Sequence, residues 1–191
     1  MKPIVYLDMD ETLLHTRGYL TRPPSQARIE EAQRLKGVRL RFIQSQIKKA
    51  ELWKTAYLTE FGHTLVRPGA HDFIKRLATW ADVYVFSAGQ LDYVTATLKA
   101  TKLDEHLLGC FSVHEQHDLP NDRPWLLVDN LNPGTAGVKV KVCQVLKLDV
   151  EDPELAEQIA TRYCLTVLGW TEDDQDRVLD TLDAAIRARL S

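Results

Sequence analysis

Three short runs constrain this chain more than any other feature: IVYL at 4–7, VYVF at 83–86 and WLLV at 125–128. Each is apolar at consecutive positions, rich in β-formers, and too short to stand as a helix. A strand with one wet face alternates apolar and polar residues. A run that is apolar on both sides has to be covered on both faces, as in a parallel sheet between layers of helices. Helical spacing fills the intervals. HDFIKRLATWA puts Phe73, Ile74, Leu77 and Trp80 on one face, and LDYVTATLK does the same with Leu91, Val94 and Leu98. Near the C-terminus Val178, Leu179, Leu182, Ile186 and Leu190 keep the helical period, with Arg187 and Arg189 in the last turn. A capping box is predicted at Thr171 and Asp174, with Glu172 and Asp173 in the first turn. VKVKV at 138–142 alternates apolar and basic residues, which predicts a strand with one wet face. Strands alternating with helices give an α/β fold with a mostly parallel sheet.

Residues 17–65 interrupt the rhythm. SQARIEEAQRLKGVRLRFIQSQIKKAELW reads as helical, weakened at Gly37, and AYLTEFGHTLV reads as a hairpin turning near Phe61 and Gly62. The segment is expected to be a small cap inserted after the first strand, and VRPG at 66–69 returns the chain to the core. A length of 191 residues suits one domain, residues 1–191, with that cap.

Each apolar run ends in polar residues: Asp8, Ser87, and the pair Asp129-Asn130. In a parallel sheet these ends share one edge, where open α/β sheets bind ligands. Asp8 and Asp10 stand one residue apart after an apolar strand, where like charges repel and solvation is poor. A cation sharing the site would compensate them.

DMDETL at 8–13 resembles motif I, D-x-D-x-T, of the haloacid dehalogenase (HAD) superfamily; VFSAG at 85–89 resembles motif II and LLVDN at 126–130 motif IV. With VRPGAHDFIKRL, the set is similar to the branch that dephosphorylates the C-terminal domain of RNA polymerase II, the NLI-interacting-factor-like phosphatases. The resemblance covers residues 3–20 and 64–132 well, 138–160 loosely, and the helical part of 21–56 not at all. It implies a HAD-like, Rossmann-like three-layer fold and a Mg²⁺-dependent phosphomonoesterase. Asp8 would be the nucleophile that forms an aspartyl-phosphate, and Asp10 the general acid and base. The implied Mg²⁺ ligands are the Asp8 carboxylate, the Asp10 backbone carbonyl and the Asn130 side chain, with Asp129 a supporting or alternative ligand. Ser87 and Ala88 would bind the phosphoryl oxygens, and Thr12 would brace the loop.

One element departs from that pattern. The branch carries a motif III Lys in K-D-L about sixteen residues before motif IV, and here no Lys occurs between Lys102 and Lys139. The candidates for the missing cation are His117 (in HDL), Arg123, His114 and Lys102. A neutral imidazole would stabilise phosphoryl charge less than a fixed cation does.

The rest bears on partners and compartment. The net charge of −3 argues against bulk affinity for nucleic acid or anionic membrane. Residues 17–54, however, hold ten Arg or Lys against three Glu. Such a run reads as a solvated helix face or as a basic face on which Arg34, Arg39, Arg41, Lys48 and Lys49 would favour an anionic partner, and Trp53, Tyr57 and Phe61 read as core packing or as an aromatic wall. An open crevice with a small cap suits a macromolecular substrate, such as a phosphoprotein loop or a nucleic-acid end, and the family resemblance implies a phosphoserine or phosphothreonine protein. The alternatives are a nucleotide or polynucleotide-end phosphatase and a phosphatase-like binding module with little turnover. Cys110, Cys143 and Cys164 read as reduced core residues. No stretch has the shape of a signal peptide and no apolar run approaches 18 residues, so a soluble cytoplasmic protein is the expectation.

Overall fold

The computed structural model describes residues 1–17, 30, 52–53, 55–59, 61–115, 117–170 and 172–191. The helical reading of the cap, its basic residues Arg34, Arg39, Arg41, Lys48 and Lys49, and Thr171 lie outside the described residues.

A five-stranded parallel sheet forms the centre. Its strands are β1 (Ile4–Leu7), β5 (Asp82–Ser87), β6 (Gly109–Ser112), β7 (Trp125–Asp129) and β8 (Cys164–Thr166), in the order β6-β5-β1-β7-β8. The three apolar runs of the sequence are its three central strands, with Ile4 level with Asp82 on one side and with Trp125 on the other. Their alternation is two-sided, and both sides are dry. Val5 and Leu7 pack with Phe73, Ile74 and Leu77 of α1 (Ala70–Ala78), with Val94 and Leu98 of α2 (Leu91–Thr101), and with Leu179, Leu182 and Ile186 of α5 (Val178–Leu190). Ile4 and Tyr6 pack on the opposite face with Val138, Val142 and Val145 of α3 (Ala136–Leu146) and Ala160 of α4 (Pro153–Tyr163). Every residue of β1 is fully buried, as a strand between two helical layers requires.

The VKVKV segment is helical, not a strand: it lies inside α3. Alternation over five residues was the misleading signal. Over a longer window Val138, Lys141, Val142 and Val145 fall at i, i+3, i+4 and i+7, the spacing of one helix face, and these four are the buried residues of α3. The predicted capping box also fails. Helix α5 starts only at Val178, whose N–H is accepted by Asp176 Oδ1 at 3.2 Å, and the chain from Glu172 to Arg177 is a non-helical loop before it.

A second sheet is antiparallel, in the order β2-β4-β3, built from β2 (Leu14–Arg17), β3 (Tyr57–Thr59) and β4 (Gly62–Val66). Strands β3 and β4 form the expected hairpin, with Thr59 paired to Gly62. Strand β2 follows directly on the loop after β1, so this sheet stands over the carboxyl edge of the central one. Gly69 (φ 79°) turns the chain from β4 into α1; a side chain there would be strained and would meet Asp180 Oδ1. No helix among the described residues is long and apolar enough to cross a membrane. The three cysteines are free, Cys164 buried and the others half-buried.

The two-sided core makes a specific demand. Phe73 is fully buried between α1 and the sheet, so Phe73→Ala is expected to lower unfolding free energy by ~3–5 kcal/mol, read from urea denaturation.

Candidate active site

Strands β1, β5 and β7 are neighbours, so their carboxyl ends bring Asp8, Ser87 and Asp129 to one edge. The Asp8 N–H is held by Val128 O at 2.8 Å, which extends the β1–β7 ladder into the site. The loop after Asp8 then turns sharply. Glu11 sits at φ 59°, its N–H bonds Leu14 O at 2.7 Å, and its carbonyl accepts Trp170 N–H at 2.7 Å. A non-glycine residue held at positive φ beside two carboxylates marks a loop whose shape outside contacts enforce.

The centre of the site is a buried ammonium. Lys141 Nζ lies 2.5 Å from Asp8 Oδ1 and 2.8 Å from Asp129 Oδ2. Lys141 is 2% exposed, Asp8 6% and Asp129 0%. The second oxygen of each carboxylate is also satisfied: Thr12 Oγ1 reaches Asp8 Oδ2 at 3.1 Å, and Leu131 N–H donates to Asp129 Oδ1 at 2.8 Å. Thr12 also knits the nearby strand ends together. Its hydroxyl lies 3.3 Å from Asn130 Oδ1 and accepts Asn130 N–H at 3.2 Å. Asp10 faces the opposite side, where Tyr93 OH donates to its Oδ1 at 2.6 Å. Phe61 at the hairpin turn packs edge-on against Tyr93 at 5.3 Å, so the second sheet reaches this bond.

The remaining predicted residues are placed as follows. Ser87 is buried, and its Oγ accepts Gly89 N–H at 3.0 Å; the Ala88 carbonyl accepts His114 Nε2–H at 2.8 Å. His117 and Arg123 do not supply the cation. The His117 ring packs on Phe111, with Nε2 accepting Ser112 N–H, out at the edge strand β6. Arg123 sits at the opposite, amino edge of the sheet, paired with Asp82 at 2.8 Å and donating to Lys2 O at 3.0 Å. The cation that pairs with Asp8 is Lys141, which comes after Asp129 in the chain rather than before it. Its signal was present, a Lys on the apolar face of an amphipathic helix, but it was hidden by reading 138–142 as a strand.

The electrostatics follow from burial. Removal from water pushes the Asp8 carboxyl up to about 6, with Asp129 adding to the rise while Lys141 and Thr12 oppose it. Asp10 is raised as well, burial outweighing the Tyr93 hydrogen bond. For Lys141 burial works against the charge, but Asp8 and Asp129 overcome it and hold the ammonium above its ordinary range. One ammonium among three carboxylates leaves the edge net negative, which suits a further cation. The donors at hand are oxygens of mixed kind: the Asp8 carboxylate, the Asn130 amide oxygen and the Asp10 carbonyl, which accepts no backbone hydrogen bond among the described residues. No cage of three His, Cys, Asp or Glu side chains forms among the described residues. A few protein oxygens completed by water is the donor set Mg²⁺ takes, so the residues fit that ion.

A family model of NLI interacting factor-like phosphatases matches residues 3–189. Among solved structures, Fcp1, described as an essential RNA polymerase II CTD phosphatase, aligns with a TM-score of 0.51 at 12% identity, over 98% of this chain. This chain spans 62% of that structure. A haloacid dehalogenase-like hydrolase from Xanthomonas campestris aligns with a TM-score of 0.48 at 14% identity, over 99% of this chain and 96% of the other. No protein of curated function matches the sequence.

Removing the ammonium leaves two buried carboxylates facing each other. Lys141→Ala is therefore expected to cost ~3–5 kcal/mol of stability, the scale for breaking a buried pair. Adding Asp129→Asn should recover part of that loss, and denaturation of the single and double variants measures both.

Proposed function

The chain belongs to the NLI interacting factor-like phosphatase family and has the HAD fold, and from this we propose that it hydrolyses phosphate monoesters through an aspartyl-phosphate on Asp8. The observation that carries the reading is the Lys141 ammonium on Asp8 and Asp129, with Asp10 two residues further on the same loop. A carboxylate is a weak nucleophile toward a dianion because like charges repel. A fixed ammonium at 2.5 Å both orients Asp8 and offsets the charge of the incoming phosphoryl group.

The steps assigned to this chain's residues are these. Asp8 attacks phosphorus, and Asp10, in its protonated form, gives its proton to the departing ester oxygen. Asp10 then takes a proton from the water that splits the acyl phosphate. The Ser87 hydroxyl and the Ala88 N–H at the end of β5 are the donors for the phosphoryl oxygens. Thr12 keeps Asp8 and Asn130 in register. Asp8, the Asp10 carbonyl and Asn130 would hold Mg²⁺, which when bound neutralises charge on Asp8 and the phosphoryl oxygens. Asp129, fully buried beneath the edge and bonded to Lys141 and to the Leu131 N–H, orients Lys141 instead.

A buried ammonium against Asp8 and Asp129 supports turnover over a binding module, whose motive was a missing cation. The family resemblance supports a phosphoserine or phosphothreonine protein as substrate. Hydrolysis of p-nitrophenyl phosphate with Mg²⁺, its loss in EDTA, and a panel of phosphopeptides and nucleotides test both levels of the reading. A preference for nucleotides would overturn the protein substrate while leaving the chemistry.

Two variants give sharper outcomes. Asp8→Asn is expected to lower kcat by at least ~10³-fold with the fold intact; activity within tenfold of wild type would place the nucleophile elsewhere. Asp10→Asn should slow an alkyl phosphate far more than p-nitrophenyl phosphate, whose leaving group needs no proton. Equal losses on the two would take the acid role from Asp10.

A further inference from the structure

Arg67, in the VRPG stretch, is a large charged side chain that is 1% exposed and has no part in the steps above. It spends its donors in three directions. Its Nε and Nη2 form a forked pair with Asp176 Oδ1 and Oδ2, both at 2.9 Å. Its Nη1 donates to the Thr12 carbonyl at 3.1 Å, and its own N–H bonds Leu13 O at 2.9 Å. Asp176 is thereby joined to the loop that carries Asp8, although 168 positions separate it from that residue in the chain. The same C-terminal segment grips the loop a second time, through Trp170 N–H on Glu11 O at 2.7 Å.

Thr12 is where this grip meets the chemistry. Its hydroxyl holds one proton and lies within reach of both Asp8 Oδ2 and Asn130 Oδ1, while accepting Asn130 N–H. The hydroxyl is placed by the Thr12 Cα, and the backbone is held on both sides of it, the Thr12 N–H by Met9 O at 3.3 Å and the Thr12 carbonyl by Arg67. A peptide free to rotate would swing the hydroxyl off Asp8 and leave one oxygen of the nucleophile unpaired.

Resting on the reading of Asp8 as nucleophile, we propose that Arg67 and Asp176 are positioning residues for the phosphatase reaction. They form a buried guanidinium–carboxylate clamp that sets Thr12, and through it the reactive orientation of Asp8. Asp176, and with it Trp170 on Glu11, then serve the reaction without touching substrate.

The test is steady-state kinetics on p-nitrophenyl phosphate with Mg²⁺, with Tm measured alongside. The proteins are wild type, Arg67→Lys, Asp176→Asn, the double variant Arg67→Met/Asp176→Asn, Thr12→Val, and Arg67→Lys/Thr12→Val. Lys keeps the charge but not the fork. The Met/Asn pair buries no unpaired charge, so it keeps the measurement open if a single variant fails to fold. The expected result is a kcat loss of ~10–100-fold in the clamp variants, the scale of a small misplacement, with KM nearly unchanged and loss persisting where Tm is retained. Arg67→Lys/Thr12→Val should be no slower than Thr12→Val, since both changes act through one group. Clamp variants that fold and turn over like wild type, or losses that multiply in the double variant, would overturn the clamp alone. A wild-type protein that does not hydrolyse the ester would overturn the reading of the site and the clamp with it.

Discussion

The ammonium of Lys141 between Asp8 and Asp129 is the interaction on which the rest of the arrangement depends. Two carboxylates at the ends of adjacent buried strands cannot both be ionised in a dry edge without a counter-charge. Lys141 provides it from α3, whose other inward residues, Val138, Val142 and Val145, pack on β1 and β7. Core packing of the helix and placement of the charge are therefore one event: the valines fix the rotation of α3, and that rotation aims the Lys side chain at the strand ends. A change in helix register would cost apolar contacts and the ion pair together.

The loop from Asp8 to Leu13 obeys a different constraint. Nothing local favours a glutamate at φ 59°, and the loop is tied down by distant groups: Trp170 on Glu11, Arg67 on Thr12 and Leu13, Asn130 on Thr12. Those partners come from the chain before α1, from the segment before α5, and from the end of β7. The site therefore exists only once these distant segments have packed together. That is how a strained, functional turn is kept at one geometry while most of its energy is supplied from elsewhere.

This contrast explains what was legible in the sequence. IVYL, VYVF and WLLV announced buried parallel strands because consecutive apolar residues have few other uses, and their polar ends then located Asp8, Ser87 and Asp129-Asn130 at one edge. Hairpin β3–β4 was legible from the turn at Phe61-Gly62. What misled was pattern read over too short a window: five alternating residues at 138–142 fit a strand as well as they fit a helix of which only one stripe is buried. The Thr171–Asp174 capping box failed for a related reason. Asp173 and Asp176 spend their side chains on loop N–H groups and on Arg67, so the helix begins later than its acidic residues suggest. Arg67 itself was read only as the chain's return to the core, because its partner lies 109 positions away.

The misplaced cation follows from the same physics. Searching for a Lys at a set distance before Asp129 assumes that chain order determines what reaches the edge. The sheet sets a different rule. Any element that packs on β1 and β7 with an inward long side chain near their carboxyl ends can deliver charge there, whether it precedes β7 or follows it. Arg123 precedes β7 but enters at its amino end, two positions before Trp125, so its charge meets Asp82 instead. Lys141 follows β7 by a loop and the first turns of a helix that runs back along the strand, and so its Nζ meets Asp8 and Asp129. The site demands a cation at a place in space, and the apolar face of α3 is the feature of the sequence that encodes that place.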